Sequence, residues 1–398
     1  MSDERRFRTI GTAAVRAGIA SDPRTGAHAT PIYQTSTFLL GSAKLQGLPD
    51  SVKPVDTYSR AGNPTVRAVE KLVATLEGCE TAVAFGSGMA AIAGVLVAHL
   101  SHGDEVVYLG PLYGGTQNLL DDTLGKFGIS SKRVTTVTEM RAAITPQTRL
   151  LYVETPSNPT MVVHPLAEVA ALARANGILS VADNTFATPY LTRPVEHGID
   201  IVVHSATKYL CGHGDMLGGM VTGSTELLAK VRTHGLTNLG ATLDPHAAFM
   251  LSRGIRTLHL RMEAHCANAL AVAEALSDAP GVAHVHYPGL VGHPGRETAK
   301  AQMRAFGGML SVDFAAGRPA AAAFIDALEL FDHAVSLGDV ASLACMPATS
   351  THQSVAPAGQ ARDGVTPGLV RLSIGIEDMG DLVDDVLRAA ELAAQVAI

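Results

Sequence analysis

Between residues 63 and 243, two patterns of apolar residues alternate along the chain. Short runs of consecutive apolar residues predict buried strands at 81–85, 105–109, 149–154, 178–183, 199–204 and 219–222. Apolar residues at helical spacing predict helices between several of these runs, at 89–100, 113–127 and 166–176. This alternation predicts a mostly parallel α/β sheet with helices on both faces. In such sheets, ligands bind beyond the carboxyl ends of the strands.

The first regular helix has clear local signals at both ends. Asn63 can cap a helix, Pro64 suits its first turn, and Gly78 follows the last apolar position. The preceding residues, 1–62, are rich in loops and prolines and predict an N-terminal arm that lies on a neighbouring subunit.

After about residue 244 the pattern changes, which predicts a second, smaller α+β domain over 244–398, following a large domain over 63–243. Its expected elements are a long helix from 245 to 275, strands at 282–286 and 309–314, a helix at 319–330, a strand at 369–374 and a helix at 377–394.

Composition excludes several classes of function. The formal net charge is −7 and no basic block occurs, so a nucleic-acid partner is not expected. The longest apolar run, 89–98, is too short to span a membrane, and the N-terminus lacks a hydrophobic signal core. The four cysteines are scattered, which predicts reduced thiols in a cytoplasmic protein and no metal site.

A lysine follows the apolar run at 199–204. Lys208 stands among hydroxyls, a histidine and glycines, which is unusual company for a surface lysine. A lysine at the end of a buried strand would be desolvated, its pKa would fall, and its amine could form a Schiff base with a carbonyl. The alternative is a lysine that only caps the strand end.

Three other strand ends carry candidate chemistry, each with a structural alternative. The turn around Gly88 and Met89 opens a helix and can hold a phosphate through backbone amides, or it is an ordinary tight turn. Asp183 ends an apolar strand, where it can pair with a protonated pyridine nitrogen or bond to loop amides. Tyr113 can stack on a planar cofactor or fill a turn in the core.

Further polar residues add to this set. Ser205 and Thr207 can share a phosphate with the glycine turn, Asn158 is a polar amide after a fourth strand, and Arg371 can hold a carboxylate in a bidentate fork. Together these residues favour pyridoxal phosphate (PLP) over NAD or ATP. A nicotinamide enzyme ranks lowest because no GxGxxG follows the first strand.

The chain resembles the Cys/Met-metabolism family of PLP enzymes. The resemblance covers nearly the whole chain, and the quoted motifs are residues 31–38, 58–65, 205–213 and 371–378. It implies the aspartate-aminotransferase type I fold, with a mainly parallel seven-stranded sheet in the large domain. It also implies an active dimer within a homotetramer.

The resemblance implies a role for each matching residue. Lys208 would hold PLP and shuttle protons, Asp183 would bind the pyridine nitrogen, and Tyr113 would stack on the ring and act as acid or base. Phosphate would be bound by Gly88, Met89, Ser205 and Thr207, and by Tyr58 and Arg60 of the neighbouring subunit. Asn158, Ser336 and Arg371 would hold the carboxylate of a small amino-acid substrate.

Within the family, several motifs resemble those of methionine γ-lyases, which implies α,γ-elimination from a sulfur amino acid. Cystathionine γ-lyase and γ-replacement enzymes, namely cystathionine γ-synthase and O-acetylhomoserine sulfhydrylase, remain alternatives. The chain carries Gly115 where methionine γ-lyases have Cys, and Ala341 where cystathionine-handling members have Glu. A PLP-binding protein without lyase activity is the alternative outside the enzymes.

Overall fold

The computed structural model describes residues 7, 9–19, 22, 25–40, 56–353 and 355–396. Two sheets organise these residues, one of seven strands and one of five. Within these ranges, no helix combines the length and apolarity that a membrane crossing requires.

The larger sheet has the strand order β1-β7-β6-β5-β4-β2-β3, and only β7 runs antiparallel to its neighbours. Its strands are β1 (Thr81–Phe85), β2 (Glu105–Leu109), β3 (Ser130–Val134), β4 (Thr148–Glu154), β5 (Leu179–Asp183), β6 (Ile201–Ser205) and β7 (Gly219–Gly223). The expected α/β class and the mainly parallel seven-stranded sheet are confirmed.

The apolar runs located six of these strands, and β3 was missed. This edge strand reads Ser-Ser-Lys-Arg-Val and none of its residues is fully buried. A strand paired on one side and half exposed carries no apolar run, so its sequence resembles a loop.

Helices cover both faces of this sheet. Helix α2 (Pro64–Glu77) packs on one face and α3 (Gly88–His99) on the other. The predicted ends of α2 are confirmed: the Asn63 side chain accepts a hydrogen bond from Thr65 N, and Gly78 is left-handed at φ 75°. The other helices of this part are α4 (Gly114–Asn118), α5 (Val137–Ala143), α6 (Leu166–Asn176), α7 (Thr188–Leu191) and α8 (Thr225–Lys230).

The predicted helix at 113–127 is irregular in the structure. After α4 the backbone widens into a π-helical turn, Leu119–Thr123, and then tightens into a 3-10 turn, Leu124–Phe127. Within the π-helical turn, Asp121 accepts hydrogen bonds from the Tyr108 hydroxyl and from Ser131 Oγ. These bonds to two strands accompany a helical geometry that apolar spacing alone does not predict.

The smaller sheet has the order β10-β11-β12-β9-β8. Its strands are β8 (Val282–His286), β9 (Met309–Phe314), β10 (Asp332–His333), β11 (Leu343–Cys345) and β12 (Leu369–Ser373). The accompanying helices are α9 (Pro245–Ile255), α10 (Leu258–Ser277), α11 (Arg296–Gln302), α12 (Arg318–Ala327), α13 (Pro357–Arg362) and α14 (Met379–Ala394).

The single long helix expected over 245–275 is two helices, α9 and α10. The break lies at Arg256 and Thr257, and Arg261 donates hydrogen bonds there to the carbonyl oxygens of Gly254 and Tyr209. A buried guanidinium thus binds a carbonyl at the end of α9, which favours ending the helix there.

The N-terminal arm is not wholly irregular. Helix α1 (Ile10–Arg16) begins after Thr9, which caps it, and buries Ile10, Ala13 and Ala14 in the same core as α2. Parts of the expected arm, including residues 41–55, lie outside the described residues. The division at residues 62 and 243 stays a prediction.

Candidate active site

The predicted site residues cluster at the carboxyl edge of the larger sheet. Strand β6 ends at Ser205 and leads to Thr207 and Lys208, strand β5 ends at Asp183, and α3 begins at Gly88 directly after β1. These strands are neighbours through the order β1-β7-β6-β5. The sheet therefore brings an amine, an acid and a helix N-terminus to one edge.

Lys208 is tied to the segment between β10 and β11. Its Nζ donates a hydrogen bond to Ser336 Oγ at 2.8 Å. Burial, and next the positive charge of Arg371, lower the pKa of Lys208 to about 8. The uncharged fraction of this amine near neutral pH is therefore larger than that of an ordinary lysine, and the uncharged amine is the form that attacks a carbonyl.

Ser336 holds this contact in an unusual backbone conformation. Its φ of 108° lies in the region that favours glycine, although it is a serine. Such a conformation costs free energy, on the order of 1–3 kcal/mol, and occurs mainly at functional sites.

Arg371 lies in the middle of β12 and faces the same cleft. Its Nη1 donates to Asn158 Oδ1 and its Nη2 to the carbonyl oxygen of Ser336, both at 2.9 Å. The side chain is buried, its Nε has no hydrogen-bond partner, and among the described residues Arg371 has no carboxylate within ion-pair distance. A buried guanidinium that lacks both a counter-ion and a partner for its Nε–H is suited to binding a carboxylate.

Asp183 is buried beside Thr185. Its Oδ1 accepts hydrogen bonds from Thr185 N at 3.0 Å and Thr185 Oγ1 at 2.5 Å, and Thr185 Oγ1 in turn accepts from Ser205 N at 2.9 Å. Burial raises the pKa of Asp183. A carboxylate in this position is stabilised by a cation, so it suits a protonated ring nitrogen.

Glu154, the last residue of β4, orients two predicted site residues. Its carboxylate accepts hydrogen bonds from the backbone N–H of Tyr113 at 2.9 Å and of Asn158 at 2.8 Å. Burial, and next the negative charge of Asp183, raise the pKa of Glu154 to about 8.

The turn at the start of α3 is closely packed against β6. A Cβ on Gly88 would lie 2.7 Å from Ser205 Cβ, so only glycine fits without a shift. Ser87 caps the helix by accepting from Ala90 N at 3.1 Å. Thr207 Oγ1 accepts from Gly218 N at 3.0 Å, which orients this hydroxyl near the same turn. The arrangement suits an anion held by backbone amides and hydroxyls.

Tyr113 stands beside this turn with its side chain partly open to solvent. A Cβ on Gly115 would lie 2.6 Å from Tyr113 Cε1 and 3.1 Å from Met89 Sδ. The Tyr113 ring and Met89 therefore occupy the space that a side chain at position 115 would need.

Tyr58 and Arg60 are not joined to this cluster. Both are exposed, and the Arg60 guanidinium lies 5.3 Å from the centroid of the Tyr58 ring. Arg60 borders a groove that also includes Arg232 and Thr242. Within a single chain, the described contacts do not bring these two residues to Lys208.

Three residues near the site were not predicted as functional. Glu154 had the same signal as Asp183, an acid that ends an apolar strand, and could have been found. Thr185 and His352 had none. The buried His352 interacts with the backbone of Leu112 and Asn158, and burial lowers its pKa to about 4.

These residues meet the requirements for binding PLP. Lys208 is an amine with a lowered pKa, Asp183 is a buried acid that a cation would stabilise, and the turn at Gly88 is too close to Ser205 for a Cβ. An α/β sheet with this edge is the fold and site of a PLP-dependent enzyme. The family model described as "Cys/Met metabolism PLP-dependent enzyme" matches residues 11–391, and the chain belongs to that family.

Full-length relatives agree with this membership. The chain is 44% identical over 393 residues to L-methionine gamma-lyase of Pseudomonas putida, which covers 97% of this chain and 98% of that protein. It is also 44% identical over 385 residues to cystathionine beta-lyase of Lactococcus lactis subsp. cremoris, which covers 96% and 99%.

A solved structure supports the fold. Cystathionine gamma-lyase from Lactobacillus plantarum, complexed with L-serine, matches with a TM-score of 0.91 and 38% identity, over 97% of this chain and 99% of that chain. Together the comparisons confirm the expected family, fold class, cofactor and enzyme class, a PLP-dependent carbon–sulfur lyase.

A metal site is a separate question. Within the described ranges, no group of three or more His, Cys, Asp or Glu side chains is arranged to hold a metal ion.

Proposed function

We propose that this enzyme catalyses α,γ-elimination from methionine or a related homocysteine or homoserine derivative. For methionine, water is consumed, the Cγ–S bond breaks, and the products are 2-oxobutanoate, ammonia and a thiol. The observation that carries the proposal is the position of the Lys208 amine. It donates a hydrogen bond to Ser336, whose backbone carbonyl oxygen accepts one from Arg371, and Arg371 also donates to Asn158. The relatives named methionine γ-lyase support the choice of substrate.

The amine of Lys208 is proposed to hold the cofactor covalently and then to move protons at the substrate carbon atoms. Bound PLP supplies an electron sink for negative charge at the substrate Cα. A lysine whose pKa is lowered to about 8 can accept a proton and return it near neutral pH. Ser336 is 2.8 Å from Nζ and orients the amine between these transfers.

Asp183 is proposed to bind the ring nitrogen, with Thr185 fixing its orientation through two hydrogen bonds to one carboxylate oxygen. The phosphate would lie at the start of α3. There the amides of Gly88 and Met89 and the hydroxyls of Ser205 and Thr207 are proposed to bind it.

Arg371 and Asn158 are proposed to bind the substrate carboxylate together with Ser336. The guanidinium is already held on two sides, so little side-chain freedom is lost when the carboxylate binds. Tyr113 is proposed to stack on the ring and to protonate the leaving sulfur. Its backbone N–H is fixed by Glu154, while its partly exposed side chain remains able to reach a substrate.

Assembly is proposed to complete the site. The family resemblance assigns Tyr58 and Arg60 to the phosphate of a neighbouring subunit, and both are exposed in the single chain. We therefore propose active dimers within a homotetramer. Four free cysteines support a reducing, cytoplasmic setting.

Mixed oligomers test this shared site. Arg60→Ala and Lys208→Ala are each expected to be inactive, and co-refolding them should restore about a quarter of the native sites if each Arg60 serves a neighbour. Mixing that restores no activity, while native chains treated identically recover, would contradict a shared site.

A substrate screen tests the reaction. Methionine, cystathionine and O-acetylhomoserine are assayed side by side, with and without an added thiol, and both the keto acid and the released thiol are measured. Equimolar 2-oxobutanoate and thiol from methionine support the proposal. Pyruvate from cystathionine would instead indicate β-elimination, and product formation only with added thiol would indicate γ-replacement.

Cystathionine γ-lyase is the second candidate, because the cystathionine γ-lyase of Lactobacillus plantarum has the same fold. Faster turnover of cystathionine than of methionine to the same 2-oxobutanoate would select this candidate.

A further inference from the structure

A buried histidine–glutamate pair lies behind Asp183, on the opposite face of the sheet. His204 Nε2 is 2.6 Å from Glu77 Oε1, and both side chains are fully buried. Asn184 Nδ2 donates to the same Glu77 oxygen at 3.0 Å. The pair joins the last residue of α2 to the residues beside Ser205 and Asp183.

This pair is a weak source of stability. Burying a carboxylate and an imidazole removes both from water, and apolar residues of similar volume often stabilise a core as well or better. The hydrogen bonding is also incomplete, because Glu77 Oε2, His204 Nδ1 and Asn184 Oδ1 have no partner. A role other than holding the core together therefore fits the pair better.

Its position relative to Asp183 follows from strand register. Asp183 pairs with Val203, and side chains alternate along each strand, so Asp183 faces α3 together with Val181 and Val203. His204 and Asn184 face the α2 side. The backbone of two adjacent strands separates His204 from the Asp183 carboxylate, without an intervening layer of side chains.

Charged and titratable groups reach Asp183 from both neighbouring strands. Glu154 and Tyr152 come from β4, and His204 comes from β6. Burial raises the pKa of Asp183, whereas hydrogen bonds from Thr185 and the positive charge of His204 lower it. His204 is thus one of the side chains that favour the ionised form of Asp183.

We propose that His204, hydrogen-bonded to Glu77, is a positioning residue that favours the ionised form of Asp183 through the sheet. The inference rests on the proposed role of Asp183 toward the ring nitrogen. Neither His204 nor Glu77 touches the cofactor or the substrate in this role. Their effect is to keep a carboxylate available as the partner of the protonated ring.

The test uses cofactor-free protein and pyridoxamine phosphate, which has no aldehyde and cannot condense with Lys208. Its dissociation constant is measured against pH for the wild type and for His204→Gln. Glutamine can still donate a hydrogen bond to Glu77 but carries no charge. Affinity should fall as pH drops through the pKa of Asp183, and in His204→Gln this fall should occur at a pH higher by about 0.5–1. Glu77→Gln should move the fall in the same direction, because His204 loses the carboxylate to which it is hydrogen-bonded.

Two control variants separate the possible results. His164 is a buried histidine whose pKa burial lowers to about 4, so it is uncharged at neutral pH, and His164→Gln should leave the profile in place. Asp183→Asn should abolish the acidic fall, and its persistence there would contradict the proposed role of Asp183. If Asp183→Asn abolishes the fall but His204→Gln and Glu77→Gln only lower the melting temperature, the inference is wrong and the pair is structural.

Discussion

The pKa of Lys208 makes a quantitative prediction for cofactor loading. An ordinary lysine at pKa 10.5 is about 0.03% uncharged at pH 7, whereas a lysine at about 8 is about 9% uncharged. The fraction of nucleophilic amine is therefore about 300-fold larger. Burial is the main cause and the positive charge of Arg371 the second, so the effect belongs to the folded protein.

The assay is the rate at which cofactor-free protein condenses with PLP, followed by absorbance from pH 6 to pH 11. Dividing each rate by that of a simple alkyl amine at the same pH cancels the effect that the ionisation of PLP itself has on its reactivity. After correction for the reference amine's own ionisation, the protein rate should rise with pH and level off above about pH 8.

Ser336→Ala provides a directional check. A hydrogen bond from an ammonium is stronger than one from a neutral amine, so losing Ser336 Oγ should lower the midpoint by about 0.5–1 pH unit. Lys126→Gln removes an exposed lysine that pairs with Asp122 and should change nothing. A rate that climbs without a plateau beyond pH 10, or an upward shift in Ser336→Ala, would refute the reasoning.

Three other predictions concern binding and packing. Asp183→Asn should weaken PLP binding at neutral pH by about 10- to 100-fold, measured by fluorescence titration, because the charged partner of the ring is lost; unchanged affinity would exclude the assigned role. Gly88→Ala should lower both phosphate affinity and stability, by about 1–3 kcal/mol in urea unfolding, because its Cβ meets Ser205, whereas Gly125→Ala has open space and should be neutral. Arg371→Lys should raise KM about 10- to 100-fold with a smaller change in kcat, since a lysine cannot reproduce the two-sided contact, and a purely kcat effect would contradict carboxylate binding.

Local signals explain what the sequence predicted well. Helix α2 matches its prediction at both ends because Asn63, Pro64 and Gly78 act on the backbone within a few residues. Six strands of the larger sheet were found because they are buried and consecutively apolar. The half-exposed edge strand β3 lacks that pattern.

Contacts between distant parts of the chain explain the rest. Lys208 and Ser336 are 128 residues apart, and Arg371 and Asn158 are 213 apart. No spacing rule predicts such pairs; the family resemblance named the residues, and the fold supplied the distances. Glu77 and His204 were not predicted at all, because a glutamate at a helix end and a histidine in a strand are common in any α/β protein.

The backbone of Ser336 limits how this enzyme can be made more robust. A glycine there would relax the left-handed φ, and a stability-based selection would therefore tend to choose it. The same exchange would remove the hydroxyl that receives the Lys208 amine. Thermostable variants selected without an activity screen would therefore tend to carry this glycine. They would be more stable but would lack the hydrogen bond that orients the Lys208 amine.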